Sequence, residues 1–183
     1  SDIEDLKRVQ AELRERTDRY ELVMAGAQDG IWDWDIPHHR VHFSPRWKAM
    51  RGYAEDEISD TEENWASGIH PDDAPRVFAR VEDHFAGRTP VFAEEYRIRH
   101  KDGGWRWVLD RGLVQRDAAG QAIRMAGSES DITDRKQAEE KLRTTFQVFD
   151  TLLASLYAGI LLVSNEGQVE FANQAFCDLF DLP

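Results

Sequence analysis

Residues Phe92 to Arg135 read FAEEYRIRHKDGGWRWVLDRGLVQRDAAGQAIRMAGSESDITDR, and this stretch decides the fold. Between Glu95 and Lys101, the residues Glu95, Arg97, Arg99 and Lys101 alternate with Tyr96, Ile98 and His100. Between Trp105 and Arg111, the residues Trp105, Trp107 and Leu109 alternate with Arg106, Val108 and Asp110. A period of two marks a strand, because successive side chains point to opposite faces. Asp102-Gly103-Gly104 supplies residues that tolerate positive φ for a hairpin turn. Asp117-Ala118-Ala119-Gly120 closes a second hairpin, and Ala122–Glu129 forms a third strand. Such a meander has an apolar face that something must cover. The segments long enough to cover it lie upstream.

Working outward, Asp2–Ala27 reads as a helix, with Leu6, Val9, Leu13, Tyr20 and Val23 on one stripe and Arg16 interrupting it. The pattern suits either a coiled-coil lead-in that pairs with a second copy or an amphipathic helix packed on its own domain. Ile31–Asp35 alternates as a strand, Pro37–Arg40 turns it, and Val41-His42-Phe43 returns. Ser44 is placed as an N-cap with Pro45 at the first helical position, and Gly52 ends that short helix. His70-Pro71-Asp72-Asp73 is expected to open a longer helix, with Pro71 in the first turn and both aspartates at its positive end. Val77, Val81, His84 and Phe85 form its stripe. Two hairpins with a helical middle between them must share one sheet, since each alone leaves open edges and a bare face. The expectation is an α+β fold with a five-stranded antiparallel sheet, helices on one face, and an enclosed apolar space.

The runs Gly30–Asp35, Phe43–Tyr53, Ile69–Asp73, Tyr96–Gly103 and Asp131–Arg135, in this order, resemble a PAS domain with its C-terminal PAC motif, in the Trp-rich group found in bacterial sensor proteins. The resemblance covers about Tyr20 to Lys136. It implies that the Asp131-Ile132-Thr133 segment hands the last strand to a rigid output helix. That helix shows Leu142, Phe146, Phe149, Leu153 and Leu156 on one seam, with Asp131 placed as its N-cap. The tail repeats the start of the domain: Gly159-Ile160 matches Gly30-Ile31, Val169–Phe171 matches Val41–Phe43, and Asn173–Phe176 matches Ser44–Trp47. The expected organisation is a lead-in helix over 1–26, a PAS/PAC sensor over 27–133, a connector helix over 134–157, and the start of a second PAS domain over 158–183. A fragment that cannot bury its sheet is expected to be disordered or to pair with another chain.

Composition narrows the function. Of the 183 residues, 41% are hydrophobic and 32% charged, and the net charge is −12. That acidity argues against a nucleic-acid partner, which would need a positive footprint. No run approaches a membrane span and no signal segment opens the chain, so a cytoplasmic location is expected. A start at Ser1 and an end in mid-pattern are expected of a piece of a longer protein. Cys177 is the single cysteine, which excludes disulfide frameworks and Cys-rich metal sites within the chain.

No catalytic constellation is visible, so the chain is read as non-enzymatic, with any catalytic output domain outside it. His38, His39 and His42 sit in a turn and strand without an acidic or Cys neighbour, and are read as structural rather than metal-binding. Alternation and the family resemblance together place Trp34, Phe43, Trp47, Met50, Ile69, Val77, Val81, Tyr96, Ile98, Trp107, Leu109 and Met125 around the enclosed space as ligand-binding residues. Asp131, Thr133 and Arg135 are the expected transmission residues. No cofactor is assigned; flavin and haem stay open. His84 is the one haem-ligand candidate, because the resemblance places an iron-binding histidine on this helix. The resemblance implies that adduct photochemistry would use a cysteine in the helical middle, and since none lies before Cys177 it is excluded. The leading function is a sensor and signal-relay module, dimeric through its flanking helices and sheet face. The resemblance implies that an effector of the histidine kinase or diguanylate cyclase type follows it. A ligand-free dimerisation spacer and a flavin or haem sensor are the rivals.

Overall fold

The computed structural model describes residues 2–156 and 158–181; Ser1, Tyr157, Leu182 and Pro183 lie outside that description, as do the side chains of residues 2, 3, 20, 21, 23–25 and 27 in the first helix, among them the stripe residues Tyr20 and Val23. The chain divides into two compact units, 1–133 and 134–183. The first carries α1 (Asp2–Ala27), β1 (Gly30–Asp35), β2 (Arg40–Phe43), α2 (Pro45–Met50), α3 (Glu62–Ala66), α4 (Ala74–Phe85), β3 (Phe92–Arg99), β4 (Trp105–Arg116) and β5 (Ala122–Asp131). The strands lie in the order β2-β1-β5-β4-β3, every neighbouring pair antiparallel. Pairing of β1 with β5, from Gly30 opposite Glu129 to Asp35 opposite Arg124, joins the first hairpin to the meander in one sheet.

One face of that sheet and the helical middle share a single core. Trp32, Phe43, Tyr96, Ile98, Val108 and Met125 from the strands meet Trp47, Met50, Val77 and Val81 from α2 and α4. Each fully buried side chain of this size contributes roughly 1.5–3 kcal/mol. Trp47 is the keystone. It stacks on Phe43 at 3.7 Å between ring centroids, and the Arg51 guanidinium carbon lies 3.4 Å from its ring centroid on α2's own turn. The capping chemistry of α2 is as the sequence reads: Ser44 accepts from the Trp47 N–H, Pro45 opens the helix, and Gly52 follows at φ 81°.

Two local expectations fail. Helix α4 begins at Ala74, so Pro75 rather than Pro71 occupies its first turn. The Asp73 carboxylate does not cap the helix; it takes a two-pronged bond from Arg97, 2.9 Å on each side, plus the Arg97 backbone N–H at 3.0 Å. A charge-assisted fork outweighs a cap. This pairing, with Arg97 first among its causes, holds Asp73 below the usual carboxylate range. Asp131 is likewise not an N-cap. It is the last residue of β5, and its side chain accepts from the Thr133 N–H at 2.8 Å.

The second unit holds α5 (Thr133–Ser155, starting at the boundary), β6 (Leu161–Val163), β7 (Val169–Ala172) and α6 (Gln174–Phe180). Of the two outcomes expected for this fragment, disorder or pairing with another chain, the described residues show formed elements rather than disorder, and Asn173 explains how. In the first unit Ser44 clasps strand to helix: its N–H donates to Ile31 O, and its Oγ accepts from Ile31 N–H, both at 2.9 Å. Asn173 repeats this with Ile160, at 3.1 and 2.7 Å, and caps α6 by accepting from Phe176 N–H at 3.0 Å. Its amide also donates to Leu153 O and Ala158 O. The hairpin nevertheless leaves Leu162, Val163 and Val169 exposed.

Candidate functional site

Within the core, a small cavity is lined by Trp32, Trp34, Val41, Phe43, Glu62, Trp65, Val81, Phe92, Asp110 and Met125. It offers about 30 Å³ to water centres, room for about two water molecules. Of the residues named from sequence, Trp34, Phe43, Val81 and Met125 line this space. Trp47, Met50, Ile69, Val77, Tyr96 and Ile98 are buried in the surrounding core. Trp34 lies between Trp65 and Phe85, and its indole N–H donates to Glu62.

Trp107 and Leu109 are placed on the other side. The buried positions of β4 are Val108, Asp110 and Gly112, so the two named residues belong to the outer face. Strand pairing explains the reversal. Arg97 lies opposite Trp107 and Arg99 opposite Trp105, with guanidinium carbons 5.5 and 5.2 Å from the ring centroids. Cation–π cover keeps large indoles on a solvent-facing strand surface.

What sequence reasoning missed is the polar group that β4 turns inward. Asp110 is 2% exposed and accepts from the Trp32 indole N–H and from the Tyr96 hydroxyl, each at 2.7 Å. Directly opposite on β5 stands Glu129, fully buried and forked onto Arg51 at 2.5 and 3.0 Å. The Tyr96 hydroxyl lies 3.4 Å from Glu129 and accepts from the Trp65 indole at 3.1 Å. The signal was available in β5: Met125, named as a cavity residue, shares its face with Gly127 and Glu129 by alternation. Burial, then the charge of Glu129, pushes the Asp110 carboxyl up to about 7. Burial also holds the Tyr96 phenol well above its ordinary range, so it remains a donor.

This pair adjoins the exit from the domain. Val108, two residues before Asp110, lies opposite Asp131. Beyond the last strand residue, Ile132 N–H donates to Trp107 O at 2.9 Å, and Trp107 N–H donates to the Thr133 hydroxyl at 3.0 Å. Ile132 is buried. Asp131, Thr133 and Trp107 thus form one stitched corner, while Arg135 pairs with Glu139 one turn along α5 at 2.8 Å.

The cofactor candidates meet a poor fit. His84 is buried with Nδ1 3.0 Å from Thr89 O, but it is not among the cavity-lining residues. A space for about two waters does not admit a porphyrin or an isoalloxazine. His38, His39 and His42 each face a different carboxylate, Asp35, Glu62 and Asp60. Among the described residues no group of three His, Cys, Asp or Glu could hold a metal ion, and no helix is long and apolar enough to cross a membrane.

Comparison with known proteins points the same way as the fold. A family profile described as PAS fold matches residues 40–128, and one described as PAS domain matches residues 140–183. The crystal structure of a sensory box histidine kinase/response regulator from Burkholderia thailandensis is 36% identical, with a TM-score of 0.64 over 72% of this chain and 97% of that one. The methyl sulfide methyltransferase-associated sensor of Methanosarcina acetivorans is 33% identical over 65% of this chain. The probable diguanylate cyclase DgcE of Escherichia coli is 25% identical over 94% of it. The matches span 14% and 15% of the lengths of these two curated relatives.

Proposed function

This chain belongs to the PAS family and is a signalling sensor module, and on that premise we propose that residues 27–133 sense and that the Asp131–Thr133 corner reports the state of the core to α5. In this reading residues 1–26 and 134–157 are connectors, and 158–183 begin a second PAS domain. The chain itself catalyses nothing. It works on the cytoplasmic side within a longer protein whose effector is of the histidine kinase or diguanylate cyclase type. Apolar residues exposed along α1 (Leu6, Val9, Leu13) and α5 (Leu142, Phe146, Phe149) support a homodimer through the flanking helices, with the outer sheet face as the adjoining surface.

The observation that carries the proposal is the stitching of the exit to β4. The strand pair holding the buried carboxylates continues, by two hydrogen bonds at Trp107, into the first residue of α5. A tenfold preference of a stimulus for one arrangement supplies about 1.4 kcal/mol of bias, on the scale of one such bond. Thr133→Val removes the acceptor for Trp107 N–H. It is expected to cost about 1–3 kcal/mol, to speed amide exchange at Trp107 and Ile132, and to fix the effector of the full-length protein at one output level. A full-length variant that still responds as the parent does would refute the route.

The tightness of the core favours a second reading, a ligand-free spacer, over a flavin or haem sensor. Absorption spectroscopy and native mass spectrometry of the purified chain separate these. The expected result is no visible band and no bound organic molecule; a flavin or haem band would show that the core opens further than its present packing.

A further inference from the structure

We propose that the Asp110–Glu129 pair is a proton-binding site, so that the ligand this core takes is a hydrogen ion. The inference rests on the sensor reading for its purpose but on geometry for its existence. Two carboxylates face each other across β4 and β5, both at most 2% exposed, and both lie within 3.4 Å of the Tyr96 hydroxyl. One cation, Arg51, meets them, and its fork is spent on Glu129. The groups that meet the pair's network from the neighbouring strands and α3 are neutral donors. β1 brings the Trp32 indole, β3 the Tyr96 phenol and α3 the Trp65 indole. Across the adjoining cavity α3 presents Glu62, another acid, and α4 presents Val81.

A lone buried negative charge is costly, and protonation is the ordinary relief. Like charges at close range ionise in sequence, so one proton belongs to the pair rather than to either residue. The midpoint near neutrality follows from burial of Asp110 and the charge of Glu129. Loading removes the repulsion between two like charges that share the Tyr96 hydroxyl, on the strand pair that leads to the exit. Both neighbouring indoles act as donors to the same network, so Trp32 and Trp65 are natural optical reporters of it.

Infrared spectroscopy of the chain tests this through the carbonyl stretch of a protonated carboxylic acid, followed between about pH 5 and pH 9. The expected result is a band present at the acid end and lost across neutrality. Asp110→Asn should abolish it, because Glu129 is then the one buried carboxylate and Arg51 matches it. Glu129→Gln takes away the like charge but leaves Asp110 buried, so the band should persist and its loss should move to lower pH. Should a variant not fold, carbon-13 labelling of aspartate and glutamate in the unaltered chain assigns the titrating group by magnetic resonance. A chain with no such band, or one whose band survives Asp110→Asn or keeps its midpoint in Glu129→Gln, overturns the site. Neither measurement reads an effector, so failure here leaves the Thr133 route standing, and failure of that route leaves the proton site standing.

Discussion

Arg51→Ala is expected to destabilise the first unit by about 3–5 kcal/mol, the cost of stranding a buried partner of an ion pair. Arg51 is 2% exposed, forks onto Glu129 and covers the face of Trp47. Its removal takes away the cation that balances one of two buried carboxylates. The loss should depend on pH with a definite sign. Asp110 already binds its proton more tightly in the folded chain than its ordinary value of 3.8, at about 7. The folded state therefore holds more protons than the unfolded state between those values, and stability falls as pH rises through that window. Without Arg51 the pair holds its proton to higher pH, so the fall extends further and the deficit is larger at about pH 8 than at about pH 5. Denaturant titrations at the two values measure it. Adding Glu129→Gln to Arg51→Ala should recover part of the loss, and the double-mutant cycle isolates the pair from the packing on Trp47. A cost under about 1 kcal/mol at the alkaline end would mean that water reaches the pair.

The same pair marks where sequence reading reaches its limit. Alternation in Glu95–Lys101 and Trp105–Arg111, the glycine turns and the Ser44-Pro45 helix start are local rules, and they place five strands and three helices of the first unit. The faces of β4 are not a local matter. Trp105, Trp107 and Leu109 are the apolar set by composition, but Arg97 and Arg99 across β3 cover the two indoles. Asp110 can then point inward because Trp32 and Tyr96 donate to it from other strands. A register decided by cross-strand partners distant in sequence inverts a hydrophobicity-based assignment of faces. The start of α4 moved for a similar reason: Asp73 reads as a helix-end residue until Arg97, on β3, takes its carboxylate. In the tail, matching Asn173 to Ser44 was legible, yet the consequence was not, since an asparagine clasps with both ends of its amide where serine has one hydroxyl.

Gly127→Ala should do more damage than any substitution of comparable size in the chain's turns. Gly127 lies opposite Gly112 on β4 and opposite Trp32 on β1, and the Trp32 ring spans both glycines. A β-carbon at 127 would fall 1.9 Å from the Arg111 carbonyl oxygen, 2.5 Å from the Trp32 ring and 2.8 Å from the Gly112 Cα. Two of these three obstacles are backbone, so no rotamer change relieves them. The strands must part or Trp32 must leave, and leaving breaks its 2.7 Å bond to Asp110. The expected cost exceeds the roughly 1–3 kcal/mol of ordinary overpacking, with a shift in tryptophan fluorescence. Gly120→Ala is the comparison: its φ of 81° strains an alanine, but no atom lies within 4 Å of the added carbon, so roughly 1–2 kcal/mol is expected from the backbone alone. If both variants unfold at the same denaturant concentration, the flat indole on paired glycines is not what holds β1 against the meander, and the proton site loses the donor that fixes its geometry.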